Sequence, residues 1–235
     1  MRVKAGAEGI HGIVTHIAML RGTAALRSVE LFDLHYEAGA GNDEKVEALL
    51  QMPDIQINEE KEMNGRSYTP LLIAAKYGHD KVIELLLKAE GIQVNLSRKS
   101  DGMTPLYMAA SMGHLKVVQK LLHSIDVQVN KSVNEATPLM VAATYGHEKV
   151  VQLLLKRDEI GPSINKGCCC KCTPLYVAAQ NGFEQIVLQL LARKDTDVNQ
   201  TCIQGATALI IASQHGHKKV VAHILKRENI QVNRP

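Results

Sequence analysis

Thr69-Pro70-Leu71-Leu72-Ile73-Ala74-Ala75-Lys76-Tyr77-Gly78-His79 decides how this chain is read, because it returns. Thr-Pro-Leu recurs at Thr104-Pro105-Leu106, Thr137-Pro138-Leu139 and Thr173-Pro174-Leu175, and as Thr207-Ala208-Leu209, at spacings of 33 to 36 residues. Each copy then carries a small-residue pair: Ala74 and Ala75, Ala109 and Ala110, Ala142 and Ala143, Ala178 and Ala179, Ala212 and Ser213. A glycine follows at Gly78, Gly113, Gly146, Gly182 or Gly216. Behind four of these stands a histidine, at His79, His114, His147 and His217, with Phe183 as the exception. An apolar run comes next, and each unit closes on an asparagine at Asn95, Asn130, Asn165, Asn199 or Asn233.

Each part of the unit has a physical reading. Threonine before proline starts a helix: the hydroxyl accepts an orphan backbone N–H, and proline at the first helical position gives up nothing it needed. The alanine pair lets a neighbouring helix approach closely. Glycine then takes the left-handed conformation that ends the helix. In Asp80–Leu87 the residues Val82, Ile83, Leu85, Leu86 and Leu87 make the apolar side of a second, antiparallel helix, with Lys81, Glu84 and Lys88 toward water. Polar, glycine-containing stretches such as Lys99-Ser100-Asp101-Gly102 read as turns joining one helix pair to the next. A unit of this length cannot bury its own apolar face and must stack on a copy of itself.

The order of turn, Thr-Pro-Leu, paired alanines, Gly-His, apolar second helix and closing Val-Asn resembles the ankyrin repeat from about residue 60 to 235. A degenerate copy precedes it, in which Leu34, Ala38, Gly41, Val46, Leu49, Leu50 and Asn58 fall at the framework positions, Glu37 replaces an alanine and Thr-Pro is missing. The resemblance implies an all-α solenoid of stacked antiparallel helix pairs joined by β-hairpin-like turns. It divides the chain into a segment 1–30 of unknown role and an array 31–235, with repeats at about 31–58, 60–95, 96–130, 131–165, 166–199 and 200–235. One departure runs through the five clear copies. The histidine usual after Thr-Pro-Leu is here Leu72, Tyr107, Met140, Tyr176 or Ile210, so packing or a phenol is expected to replace its hydrogen bond.

Composition agrees with a helical stack and excludes other classes. The chain has 235 residues, 46% of them hydrophobic, enough to bury a core, while aromatics make up 3% with no tryptophan, which leaves the core to Leu, Val, Ile and Ala. Its 27 basic and 24 acidic residues are interspersed and leave a net charge of +3, which argues against nucleic acid as a partner. No run of about 18 apolar residues suits a membrane span. The apolar stretch 10–20 is interrupted by His11, Gly12 and His16 and is followed by no small-residue cleavage site, so an intracellular, cytoplasmic location is expected; a monomer is expected as well. The segment Gly39-Ala40-Gly41 lacks the strand and the Lys-Ser or Lys-Thr of a phosphate loop. No nucleophile elbow, metalloprotease helix or kinase signature is present, and the Gly-His histidines recur as framework, so no catalysis is expected.

By the family's analogy, the partner-binding surface falls on the two residues after each small pair and on the turn before each threonine. The helix-end pairs are Lys76 with Tyr77, Ser111 with Met112, Thr144 with Tyr145, Gln180 with Asn181, and Gln214 with His215; the turns add Arg66, Tyr68, Asp101, Met103 and Asn134. These positions vary between copies while the framework does not. Tyr77, Met112 and Tyr145 offer apolar area with polar edges, the composition of an interface anchor; the alternative is that the tyrosines support the adjoining turn.

Four of the five cysteines crowd into Cys168-Cys169-Cys170-Lys171-Cys172, and Cys202 stands at the place equivalent to Cys168 one repeat later. Cys169 and Cys172 have the C-x-x-C spacing for one metal, with Cys202 as a third donor. A structural zinc site wants four donors, and there is no second C-x-x-C, so free thiols on an exposed turn are expected and no cofactor is assigned. Leu191 followed by Asp197-Val198-Asn199 resembles the pattern at which asparagine hydroxylases act on ankyrin repeats, against the reading that Asn199 is the closing turn residue shared by every copy. The function expected is protein binding through the concave face. The alternatives are a targeting or regulatory portion of a larger protein, since 1–30 match nothing and Pro235 falls where a further turn would begin, and a cysteine-based metal or redox sensor.

Overall fold

Every clear threonine starts a helix by the same contact. In the computed structural model, Thr69, Thr104, Thr137, Thr173 and Thr207 accept through Oγ1 from the amides of Leu72, Tyr107, Met140, Tyr176 and Ile210 at 3.1 to 3.3 Å. Such a cap stabilises a helix by about 1 kcal/mol. The described residues are 33–63 and 65–232, so the segment 1–30 and Asn233 lie outside them. They form two compact units that meet in sequence between Ile92 and Gln93.

The first unit holds helices α1 (Leu34–Ala40) and α2 (Asp43–Leu50), the antiparallel hairpin β1 (Lys61–Met63) and β2 (Arg66–Tyr68), and helices α3 (Pro70–Tyr77) and α4 (Asp80–Lys88). Helix α1 packs on α3, and α2 on α4. The degenerate copy replaces Thr-Pro with Asp33, whose carboxylate accepts from the amide of His35 at 2.9 Å. His35 is buried, and its Nε2 donates to the carbonyl of Glu59 at 2.7 Å. The histidine absent after Leu in the five clear copies is therefore present in this one. Glu37, at an alanine position, is also buried and is held by Asn42 and by Lys45 Nζ.

The second unit repeats one helix pair four times: α5 (Pro105–Met112) with α6 (Leu115–Leu122), α7 (Pro138–Thr144) with α8 (Glu148–Leu154), α9 (Pro174–Gln180) with α10 (Glu184–Leu191), and α11 (Ala208–Gln214) with α12 (Lys218–Leu225). The first helices α5, α7, α9 and α11 pack in series, as do the second helices α6, α8, α10 and α12. The first six residues of α5, α7 and α9 are apolar all round because they are covered on all sides: every residue from Pro105 to Ala110, Pro138 to Ala143 and Pro174 to Ala179 is buried. The second helices are amphipathic, burying for example Val117, Val118, Leu121 and Leu122. The longest spacing, Thr137 to Thr173, accommodates a 3-10 helix, Asp158–Ser163, which sends Ile160 into the core, with Ile164 buried just beyond its end.

Three sets of contacts tie consecutive repeats together. The Gly-His histidine does not cap its own helix. Its ring lies against a glycine of the preceding repeat, and Nε2 donates to a carbonyl there: His79 to Gly39 at 2.9 Å, His147 to Ser111 at 2.9 Å and His217 to Gln180 at 3.0 Å. A Cβ on Gly113 would stand 2.5 Å from the His147 ring, so this glycine is needed for space as well as for its φ of +74°. Phe183 covers Gly146 in the same way but brings no donor, and Asn181 Nδ2 stands 3.5 Å from the carbonyl of Thr144 instead. The closing asparagines form the second set. Asn95, Asn165 and Asn199 each donate to a carbonyl of the next repeat and accept an amide two residues on, at 2.6 to 2.8 Å. At Asn130 the 3-10 helix alters this, and Ser163 Oγ donates to its Oδ1 at 2.6 Å. In the third set, Arg157, Arg193 and Arg227 donate to the carbonyls of Leu122, Leu155 and Leu191, placing a cation at the C-terminal end of each preceding second helix.

Candidate functional site

The residues expected at the binding surface divide into two kinds. The first member of each helix-end pair is half-buried in four of the five copies and bonded to the framework, whereas the second is exposed in all five. Ser111 Oγ and Thr144 Oγ1 donate back to the carbonyls of Met108 and Met140, and Gln180 lends its carbonyl to His217. In the last copy both Gln214 and His215 are exposed. Met112 is 48% exposed and Tyr145 62%; Asn181 and His215 complete the row in the second unit, at one register position on helices that pack in series. In the first unit the same register holds Tyr77, 48% exposed at the end of α3.

The exposed rings are held from behind. Tyr77 lies against His79 with centroids 6.2 Å apart, Tyr145 against His147 at 6.3 Å, and His215 stacks on His217 at 6.0 Å. Each histidine is itself fixed by its bond to the preceding repeat. The framework therefore restricts the surface rings before any partner arrives, which lowers the entropy lost on binding.

The turn residues fare differently. Arg66 and Asn134 are exposed, and Asn134 with Glu135 makes a left-handed two-residue turn closed by the Val133–Ala136 bridge. Tyr68 is not a surface residue: it is 3% exposed and its hydroxyl accepts from Lys76 Nζ at 3.0 Å. It lies on the inner face of β2 because side chains alternate along a strand. The same ammonium sits 4.8 Å and 5.0 Å from the Tyr68 and Tyr77 ring centroids, which ties Lys76 to both. Asp101 and Met103 are half-buried and belong to an internal device: the buried guanidinium of Arg98 grips both carboxylate oxygens of Asp101 and reaches Met103 Sδ at 3.3 Å.

The expected phenol substitution takes two forms. Tyr107 is buried in the core, and that burial holds its hydroxyl above the ordinary phenol range. Tyr176 is pushed up to about 12, by burial first and then by donating to the Cys202 sulfur. Burial works against ionisation of Cys202, but the Gln204 and Ala206 amides and the Tyr176 hydroxyl outweigh it and bring the thiol below its usual value.

The cysteine turn departs from the C-x-x-C expectation. Cys168 N donates to the Cys172 carbonyl and Lys171 N to the Cys168 carbonyl, a tight reversal completed by Lys171 at a left-handed φ of +58°. This reversal gathers Cys168, Cys170 and Cys172, whose sulfurs all lie within 4.8 Å of one another. Cys169 does not join that group, although its sulfur is 3.9 Å from that of Cys170. Cys202 does not join it either; it bonds to Tyr176, while the neighbouring Ile203 donates its amide to the Cys170 carbonyl. Cys172 is pushed up to about 12 by burial and by the sulfurs of Cys170 and Cys168.

Asn199, the residue matching the hydroxylation pattern, is buried, with Nδ2 on the Asn229 carbonyl and Oδ1 on the Gln231 amide. Sequence reasoning missed the three bridging arginines, because nothing in their neighbours' side chains marks a carbonyl as their target, and it missed Arg98, although the aspartate three residues on was the signal that could have found it. No helix among the described residues is long and apolar enough to cross a membrane.

Comparison with known proteins agrees with this geometry. The family described as ankyrin repeats (3 copies) matches residues 34–132, 97–166 and 139–235. Over 64 residues, 27% of the chain, the sequence is 39% identical to the human ankyrin repeat and SAM domain-containing protein 3, and the match spans 9% of that protein's length. Ankyrin repeats are in general protein–protein interaction modules and in general non-catalytic. The chain belongs to the ankyrin-repeat family.

Proposed function

We propose that this chain, with its repeats in 31–235, is a non-catalytic binding protein that holds a partner protein on the face corresponding to the concave side of ankyrin arrays. The observation that carries the proposal is the row Met112, Tyr145, Asn181 and His215. These residues share one register at the C-terminal ends of helices α5, α7, α9 and α11, are exposed just beyond the buried stretch of each helix, and differ in type from copy to copy. Two of the four are rings backed by a fixed histidine, and methionine adapts to irregular surfaces. Interfaces draw most of their energy from a few such anchors. In the first unit Tyr77 is the corresponding anchor. The balanced charge supports a protein partner over nucleic acid.

The test is affinity capture from native lysate with the full chain and with a Met112→Ala, Tyr145→Ala, His215→Ala variant shown by circular dichroism to keep its helices. The proposal expects a protein captured by the first and reduced at least about tenfold with the second, since interface anchors cost about 2 kcal/mol or more on truncation. Equal capture by both places the binding surface elsewhere.

A second reading rests on the human relative, of which the match spans 9%. That protein's name joins ankyrin repeats to a SAM domain. By analogy, this array would serve as the targeting or regulatory portion of a larger assembly whose activity lies in other parts.

A further inference from the structure

We infer that Cys168, Cys170 and Cys172 form a preorganised three-thiolate site for a soft monovalent d10 cation, cuprous copper foremost. This goes beyond the protein-binding function and does not depend on it. Three observations converge. First, the three sulfurs lie within 4.8 Å of one another, with Cys168 and Cys170 at 3.2 Å. A metal–sulfur bond of about 2.3 Å in a trigonal plane requires sulfurs about 4 Å apart, so small side-chain adjustments would bring all three onto one ion. Second, the backbone is built to hold this arrangement. Lys171 takes a left-handed φ without being glycine, and a Cβ on Gly167 would stand 2.5 Å from the Lys171 carbonyl carbon. Third, the turn is open to an incoming ion: Cys170 is exposed, while Cys168 and Cys172 are half-buried.

The donor set selects the ion. Thiolates favour soft metals, copper(I) and zinc among them, and disfavour magnesium and calcium. Structural zinc takes four protein donors in a tetrahedron. Among the described residues this cluster offers three, and a cuprous ion is satisfied by three sulfurs in a plane. Each thiol that coordinates releases its proton to solvent, and no redox step is involved.

The experiment is an anaerobic titration of the full, reduced chain with copper(I) against a chromophoric copper(I) chelator, reading the chelator's loss of colour and the thiolate-to-copper absorption. The expected result is one tightly held copper per chain. Cys168→Ser, Cys170→Ser and Cys172→Ser should each weaken binding by at least about 100-fold, because altering partners one step beyond the ligands already costs about 10- to 100-fold. Cys169→Ser and Cys202→Ser should bind as the parent does. Gly167→Ala keeps every thiol but displaces the turn, and should weaken binding at least about tenfold while the helices melt unchanged. The inference is overturned if the parent chain fails to compete with the chelator. It is equally overturned if Cys169→Ser or Cys202→Ser weakens binding as much as the three named replacements, or if Gly167→Ala binds like the parent.

Discussion

Two regions of each repeat obey different rules. At the end of the first helix the joint is made between repeats: a ring from one lies on a glycine of the one before and bonds its carbonyl, as with His147 on Gly113 and Ser111. Ahead of each threonine the turn closes on itself. Arg98 N meets Met103 O, Val133 and Ala136 bond reciprocally, Cys168 N meets Cys172 O, and Cys202 N meets Ala206 O. A joint shared by two repeats constrains both, whereas a turn closed within a few residues tolerates whatever side chains its reversal allows. The joints are accordingly nearly identical from copy to copy. The turns hold an ion pair, a left-handed Asn-Glu, a cysteine cluster and a buried thiol.

The contrast is sharpest in two glycines with nearly the same backbone. Gly113 has φ +74° and a histidine ring where its Cβ would go; Gly205 has φ +80° and nothing within 4 Å. Alanine in the left-handed region costs about 1–2 kcal/mol, and overpacking adds about 1–3. Gly113→Ala should therefore cost about 2–5 kcal/mol and Gly205→Ala about 1–2 kcal/mol, read as shifts of the urea midpoint at constant slope. Equal losses would break the comparison. A smaller gap is expected between asparagines. Asn165→Ala removes bonds to the Asp195 carbonyl and the Asp197 amide and should cost about 1–2 kcal/mol, while Asn134→Gly, at a left-handed turn position, should change stability by less than about 0.5 kcal/mol. A single substitution of modest effect tests the joint's polar half. Phe183→His restores the donor for Thr144 O and should stabilise by about 0.5–1.5 kcal/mol, with the new bond visible as slowed exchange of the histidine ring proton.

The helices were legible in the sequence because their determinants are local. Thr69 caps the amide of Leu72, Gly78 ends the same helix at φ +81°, and the apolar face of α4 is periodic. The surface was half legible. Register alone distinguished Tyr145 from Ala143, but Tyr68 was misassigned because a three-residue strand shows too little alternation to reveal which face is inward. The cysteine spacing misled for a related reason. Assigning C-x-x-C to Cys169 and Cys172 assumes a common turn, and the left-handed Lys171 substitutes another that aligns alternate residues. Arg157 and Arg193 were invisible because their targets are carbonyls 35 and 38 residues earlier, which every residue type possesses equally.

The ring-on-glycine joint also bears on how such a chain can change length. Excising residues 147–182 would join Gly146 directly to Phe183 and leave Thr144, Tyr145 and Gly146 ahead of the last repeat. His217, which now covers Gly182 and bonds Gln180, would then meet Gly146 and the carbonyl of Thr144, an equivalent glycine and an equivalent acceptor. Genetic deletion or tandem duplication of one period thus yields a chain whose new neighbours already fit, and the number of repeats can drift over generations without redesign of the seam.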